Sequence, residues 1–163
     1  MFSKVPYRQL MTGLSFGLTS AVISSLGIIV GLEAATSSKL AVVSALVVMA
    51  VADGLSDAMG IHLAEESKNR YTSKEVWQST VFAFLGVCGF SMTFIVPVLF
   101  LSFPMNILVS IVWGITLLSL LSFYIAKQQG KNPLKVIFEH DVIAILVVIV
   151  SYYLGVLLNV WLG

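Results

Sequence analysis

Five stretches of the chain, residues 11–33, 40–64, 77–101, 105–126 and 138–161, are long and apolar enough to cross a bilayer. A membrane helix needs about 20 mostly apolar residues. The apolar runs are continuous rather than alternating, so each segment is expected to be a helix that satisfies its own amides in lipid, not a barrel strand. The breaks between them are short: "EAATSSK", "EESKNRYTSKE", "SFPMN" and "AKQQGKNPLK". Charged residues make up 10% of the chain, against roughly 25% in a soluble domain. The expected fold is all-α: one integral membrane domain over 1–163, a bundle of five transmembrane helices with the lipid bilayer as its solvent. The net charge of +1 argues against nucleic acid as a partner. Cys88 is alone, so neither a disulfide framework nor a thiolate cluster is expected, and it reads as a small packing residue.

The basic residues orient the bundle. Lys4 and Arg8 precede the first stretch, Lys68, Arg70 and Lys74 follow the second, and Lys127, Lys131 and Lys135 follow the fourth. All fall on one side, and only Lys39 lies on the other. The positive-inside rule then predicts a cytoplasmic N-terminus and an outside C-terminus. Tyr71 and Trp77 suit the inner interface and Trp161 the outer one. The first stretch exceeds the roughly 7–15 residues of a signal-peptide core, so it is expected to be retained. With no organellar targeting region in view, the expected location is a prokaryotic plasma membrane. Pro97 lies deep in the third stretch and predicts a kink, because it removes the amide partner of the Thr93 carbonyl.

The first stretch carries Gly13, Gly17, Ser20, Ser24, Gly27 and Gly31 at steps of four and three, a stripe made only of Gly and Ser. Small residues let helix backbones approach closely, which drives association in lipid. The stripe suits packing against the second or fifth helix of the same chain, or a symmetric homodimer seam. Ser20 and Ser24 add hydroxyls at mid-membrane depth, able to line a polar path or to bond the preceding turn.

Asp53 and Asp57 sit in the middle of the second stretch. Residues four apart stack on a helix, so Met49, Asp53 and Asp57 share a face. An Asp at a helix centre costs about 2.5–3.5 kcal/mol to insert. Two facing lipid would cost roughly 5–7 kcal/mol, a large share of a typical net stability of about 5–15 kcal/mol. They must therefore face protein, water or a cation. On the functional reading they are hard oxygen ligands for a divalent metal ion. Apposed carboxylates in low dielectric share charge poorly, so a metal ion binding between them displaces a proton and its release recaptures one. On the structural reading both are protonated or bonded to the first-helix serines and only fix packing. His62, Glu65 and Glu66 follow toward the cytoplasm, as a solvated helix end or a metal-capture vestibule. Glu33 marks either an outer mouth or a solvated interface. His140 and Asp141 open the fifth stretch, where an acid suits the helix dipole.

The order of these segments resembles the vacuolar iron transporter family. "SAVISSLGIIVGLEAA" (20–35) and "ALVVMAVADGLSDAMGIHLAEES" (45–67) are similar to its first two helices. "GFSMTFIVPVLFLSF" (89–103) is similar to its third helix, and "VSYYLGVLL" (150–158) to the end of its fifth. The resemblance implies a dimeric exporter of Fe²⁺, and often Mn²⁺, from the cytoplasm in exchange for protons, with the metal as cargo and no permanently bound cofactor. It implies a path between two protomers near the first two helices, where Asp53, Asp57, Met49, Ser20 and Ser24 stand, with the Gly13, Gly17, Gly27 and Gly31 stripe at the interface. The chain departs from the pattern in several places. Ser20 stands where the family has an Asp, and Met49 and Asp57 stand where eukaryotic members have Glu and Met. Asp53 has no counterpart, the family's Gly-Glu-Tyr reads Gly60, Ile61, His62, and the cytoplasmic metal-binding insertion is missing.

Other readings are an uncoupled cation channel or a non-transporting membrane protein that assembles through its first helix. Catalysis is not expected. "DGLSDAMG" faintly matches the Asp-rich signature of CDP-alcohol phosphotransferases, but the downstream acidic pair and nearby Arg are missing. No GxSxG, HExxH or P-loop string occurs.

Overall fold

The computed structural model describes residues 7–162. It consists of six helices: α1 (Tyr7–Thr36), α2 (Lys39–Glu66), α3 (Ser73–Thr93), α4 (Ile95–Phe100), α5 (Met105–Gln128) and α6 (Pro133–Leu162). With α3 and α4 taken together they make five apolar crossings of membrane length. The helices overrun the predicted stretches because hydropathy marks only the hydrocarbon-facing part, while caps in the breaks set the ends. Ser38 caps α2 by accepting from the Ala41 amide, and Thr72 and Glu75 form a reciprocal capping box on α3. At the end of α5 the Lys131 and Gly130 amides donate back to the Ala126 and Lys127 carbonyls. This closure needs a left-handed residue, supplied by Gly130 at φ 65°. Pro133 then starts α6, where its missing amide goes unneeded.

The disruption predicted at Pro97 is a one-residue interruption at Phe94, which keeps helical dihedrals and separates α3, ending at Thr93, from α4. The Thr93 hydroxyl donates to the Phe90 carbonyl at 2.6 Å and accepts from the Trp113 indole at 2.9 Å. The interruption is thus tied to α5, and Phe94 is fully buried at the break.

α1 is the centre of the bundle, packing against α2, α3, α5 and α6. Around it Leu18, Val22, Leu26 and Ile29 meet Val42, Leu46 and Met49 of α2, Phe94, Val98 of α4, Leu118 of α5 and Ala144 of α6. Lipid is as apolar as these side chains, so shape rather than water exclusion has to hold the helices together. The small stripe of α1 supplies that shape inside the chain. A β-carbon on Gly13 would meet the Ser79 carbonyl oxygen at 2.5 Å, and one on Gly17 would meet the α-carbon of Gly86 at 2.9 Å. Gly27 and Gly31 face Ser151 of α6 with more room, at 3.4 and 3.5 Å. Within the chain the partners of the stripe are therefore α3 and α6, the third and fifth crossings, rather than the second helix.

The two ends of the bundle differ in charge. The Arg8 guanidinium lies 5.1 Å over the Tyr71 ring, and the Tyr7 hydroxyl meets Tyr124 and Gln128. The start of α1, the α2–α3 turn and the end of α5 therefore gather together, bringing Arg8, Lys68, Arg70, Lys74, Lys127, Lys131 and Lys135 to one end. Lys39 is at the other, donating to the Leu99 carbonyl at 3.1 Å. Lys4 lies outside the described residues.

Candidate functional site

The buried stripe of α2 turns as the helix descends. In its Lys39 half it runs through Val42, Leu46 and Met49; in its Glu66 half through Gly54, Ala58, Ile61 and Glu65. Asp53 and Asp57 lie on the edge of that turn and are half-buried. Gly54 packs against Phe84 and Cys88 of α3, and the Cys88 thiol donates to the Ala50 carbonyl at 3.0 Å. The strip beside the aspartates is thereby sealed. Gly60, in contrast, has open space around it.

Asp57 Oδ2 is buried and has no hydrogen-bond partner among the described residues. Neither aspartate belongs to an ion pair there, since the pairs formed are Lys68–Glu65 and Lys135–Glu139. Counted from the Ser37–Ser38 connection, Ser20 and Ser24 on α1 come within about a turn of the depth of Asp57 and Asp53. Both serines are half-buried, and neighbouring Ser25 is fully buried with its hydroxyl unpartnered. Met49 is buried among the core side chains. Asp57 thus keeps an unpartnered carboxylate oxygen one turn from Asp53, near the middle of α2, while Ser20 and Ser24 belong to the α1 stripe whose glycines face α3 and α6.

The residues predicted for the cytoplasmic vestibule separate into two. His62 and Glu66 line a cavity of about 240 Å³ at the α2–α3 turn, together with Asn69, Tyr71, Ser73 and Trp77. Glu65 is buried and held by Lys68 at 2.6 Å. Glu33, read from the sequence as an outer mouth, is 6% exposed and accepts from Asn106 Nδ2 at 2.5 Å. Asn106 is itself 1% exposed, and its Oδ1 takes the Ile107 amide. The Glu33 end of α1 is thus closed rather than solvated.

His140 and Asp141 also find partners, on α5: Ser122 with the imidazole at 2.7 Å and Ser119 with the carboxylate at 2.8 Å. These serines and Asn106 were not singled out from the sequence. A signal for Asn106 and Ser122, though not for Ser119, exists: Asn106, Ser110, Gly114, Leu118, Ser122 and Ala126 recur every four residues and form the buried face of α5.

No protein-family model, curated protein or solved structure matches the chain. Among the described residues no three His, Cys, Asp or Glu side chains converge on one point. The strongest ligand sets of a single chain are therefore pairs: Asp53 with Asp57 at mid-depth, and His62 with Glu66 at the basic end. A metal ion held by either pair would draw its remaining ligands from water, hydroxyls or a second copy.

Proposed function

We propose that the chain is a carrier that exports a divalent metal cation, Fe²⁺ or Mn²⁺, from the cytoplasm in exchange for protons, with Asp53 and Asp57 as the ligands that alternate between cargo and proton. The observation that carries this reading is the buried oxygen of Asp57, unpartnered at mid-membrane depth one turn from a second acid. Intramembrane acids are costly, and those that persist mark ion or proton pathways. The resemblance to the vacuolar iron transporter family supplies the class of cargo and the direction. The crowding of basic residues at the Arg8 end supports a cytoplasmic N-terminus. A homodimer completes the ligand set on this reading, because two symmetry-related aspartate pairs bring four carboxylates together. The seam is then assigned to the aspartate edge of α2, since the glycine stripe of α1 is occupied within the chain.

The test is uptake of Fe²⁺ or Mn²⁺ into proteoliposomes loaded with a pH dye. The reading expects metal flux with opposing proton flux, both lowered at least about tenfold in Asp57→Asn, since losing even an indirect support of a metal ligand costs about 10–100-fold. Flux indifferent to both aspartates would remove their role. Flux without proton movement would mark an uncoupled channel, and no flux from an intact dimer would mark an assembly protein.

A further inference from the structure

The cavity at the α2–α3 turn holds a histidine whose protonation site can be read from its neighbours. His62 Nδ1 lies 3.0 Å from Thr80 Oγ1. The Thr80 hydroxyl has one proton, and it donates that proton to the Val76 carbonyl at 2.8 Å. With that proton on the Val76 carbonyl, the nearer acceptor, the hydroxyl accepts toward the imidazole, and in that arrangement Nδ1 carries the N–H. A neutral imidazole has one N–H and one lone pair, which leaves the lone pair on Nε2. A histidine that binds metal needs this arrangement: an outer partner on one nitrogen fixes the tautomer and aims the other.

The ring is also held in place. Thr80 is buried, and the Trp77 ring stands edge-on to the imidazole with centroids 4.6 Å apart. Glu66 lies one helical turn beyond His62, so the two side chains stack on one face of α2, and both line the same cavity. Glu66 forms no ion pair among the described residues. Lys68, the base closest in sequence, is taken by Glu65. Arg8 is docked on the Tyr71 ring.

We infer that His62 Nε2 and Glu66 form a two-point binding site for a first-row transition-metal dication, with water and the neutral oxygens of Asn69, Tyr71 and Ser73 completing its shell. An imidazole with a carboxylate suits Mn²⁺, Fe²⁺, Co²⁺ or Zn²⁺, whereas Mg²⁺ and Ca²⁺ are held by oxygen alone. The site deepens the carrier reading, on which its role in capturing cargo from the cytoplasm rests. Its binding chemistry stands without that reading.

The experiment uses the full chain in lipid nanodiscs with Asp53→Asn and Asp57→Asn, so that only sites outside the membrane centre remain. Co²⁺ is the probe, read by equilibrium dialysis and by the imidazole nitrogen resonances of His62. The expected result is a Co²⁺ site that broadens the His62 Nε2 resonance and resists a large excess of Mg²⁺. His62→Gln and Glu66→Gln should each weaken it at least about tenfold, and Thr80→Val, which releases the tautomer, should weaken it by roughly the same or less. Glu66 is exposed, so its variant tests the site without touching the fold. Co²⁺ affinity unchanged in both ligand variants, or displacement by Mg²⁺ on equal terms, would overturn the inference. Binding at His62 with no flux in proteoliposomes would sink the carrier and keep the site. Flux with no binding at His62 would do the reverse.

Discussion

Asp57 holds a buried carboxylate oxygen that nothing in the described structure satisfies, in a setting where an inserted Asp costs about 2.5–3.5 kcal/mol. A group kept at such a cost is expected to trade stability for function. Asp57→Asn should therefore leave thermal stability in detergent equal or higher while lowering exchange at least about tenfold, a split that unfolding and flux measurements on the same preparation will show. Glu33 behaves in the opposite way, because its neighbour answers it. Asn106→Leu removes the donor to a carboxylate that is almost fully buried. The loss is expected to be about 1–3 kcal/mol, the usual penalty for a stranded buried group, or more if Glu33 is charged. A lowered unfolding midpoint for Asn106→Leu, restored in the Glu33→Met/Asn106→Leu double variant, would check it. Both acids stand out in the sequence, but only a neighbour three helices away distinguishes them.

Among the helices, close approach decides which glycines matter. Gly17 rests against the backbone of α3, where nothing can yield, so Gly17→Ala is expected to cost about 1–3 kcal/mol through overpacking. Gly27 meets only the side chains of Ser151 and Val147 at 3.4 and 3.5 Å, so Gly27→Ala should be close to neutral. Thermal unfolding of the two variants in the same micelle separates them; equal losses would contradict the packing. The stripe was legible as a helix-packing surface because four-residue spacing and small size appear in the letters themselves. Its partners were not, because α3 and α6 reach α1 from distant parts of the chain. Pro97 was legible as a disruption for a local reason, its missing amide. That the interruption is tied to Trp113 depends on α5, which no local rule includes.

At the scale of the molecule, charge is divided between the two ends, with Lys39 separated from the seven other described basic residues. With Cys88→Ala as background, a membrane-impermeant maleimide added to intact cells is expected to label Lys39→Cys and leave Lys131→Cys unlabelled until the membrane is opened. The opposite pattern would invert the topology and, with it, the direction of export. Hydropathy and charge are sums over neighbouring residues, so the sequence alone was enough to establish an all-helical chain with five crossings of membrane length and their breaks. It also marked Asp53 and Asp57 as costly. The tertiary structure decided what those residues meet. It buried Met49 in the core, sealed Glu33 with Asn106, turned the glycine stripe inward and separated His62 and Glu66 from Glu65. Such pairings depend on how helices cross, and in lipid, where no water-driven collapse picks the partners, the crossing is set by the shapes of all the helices together.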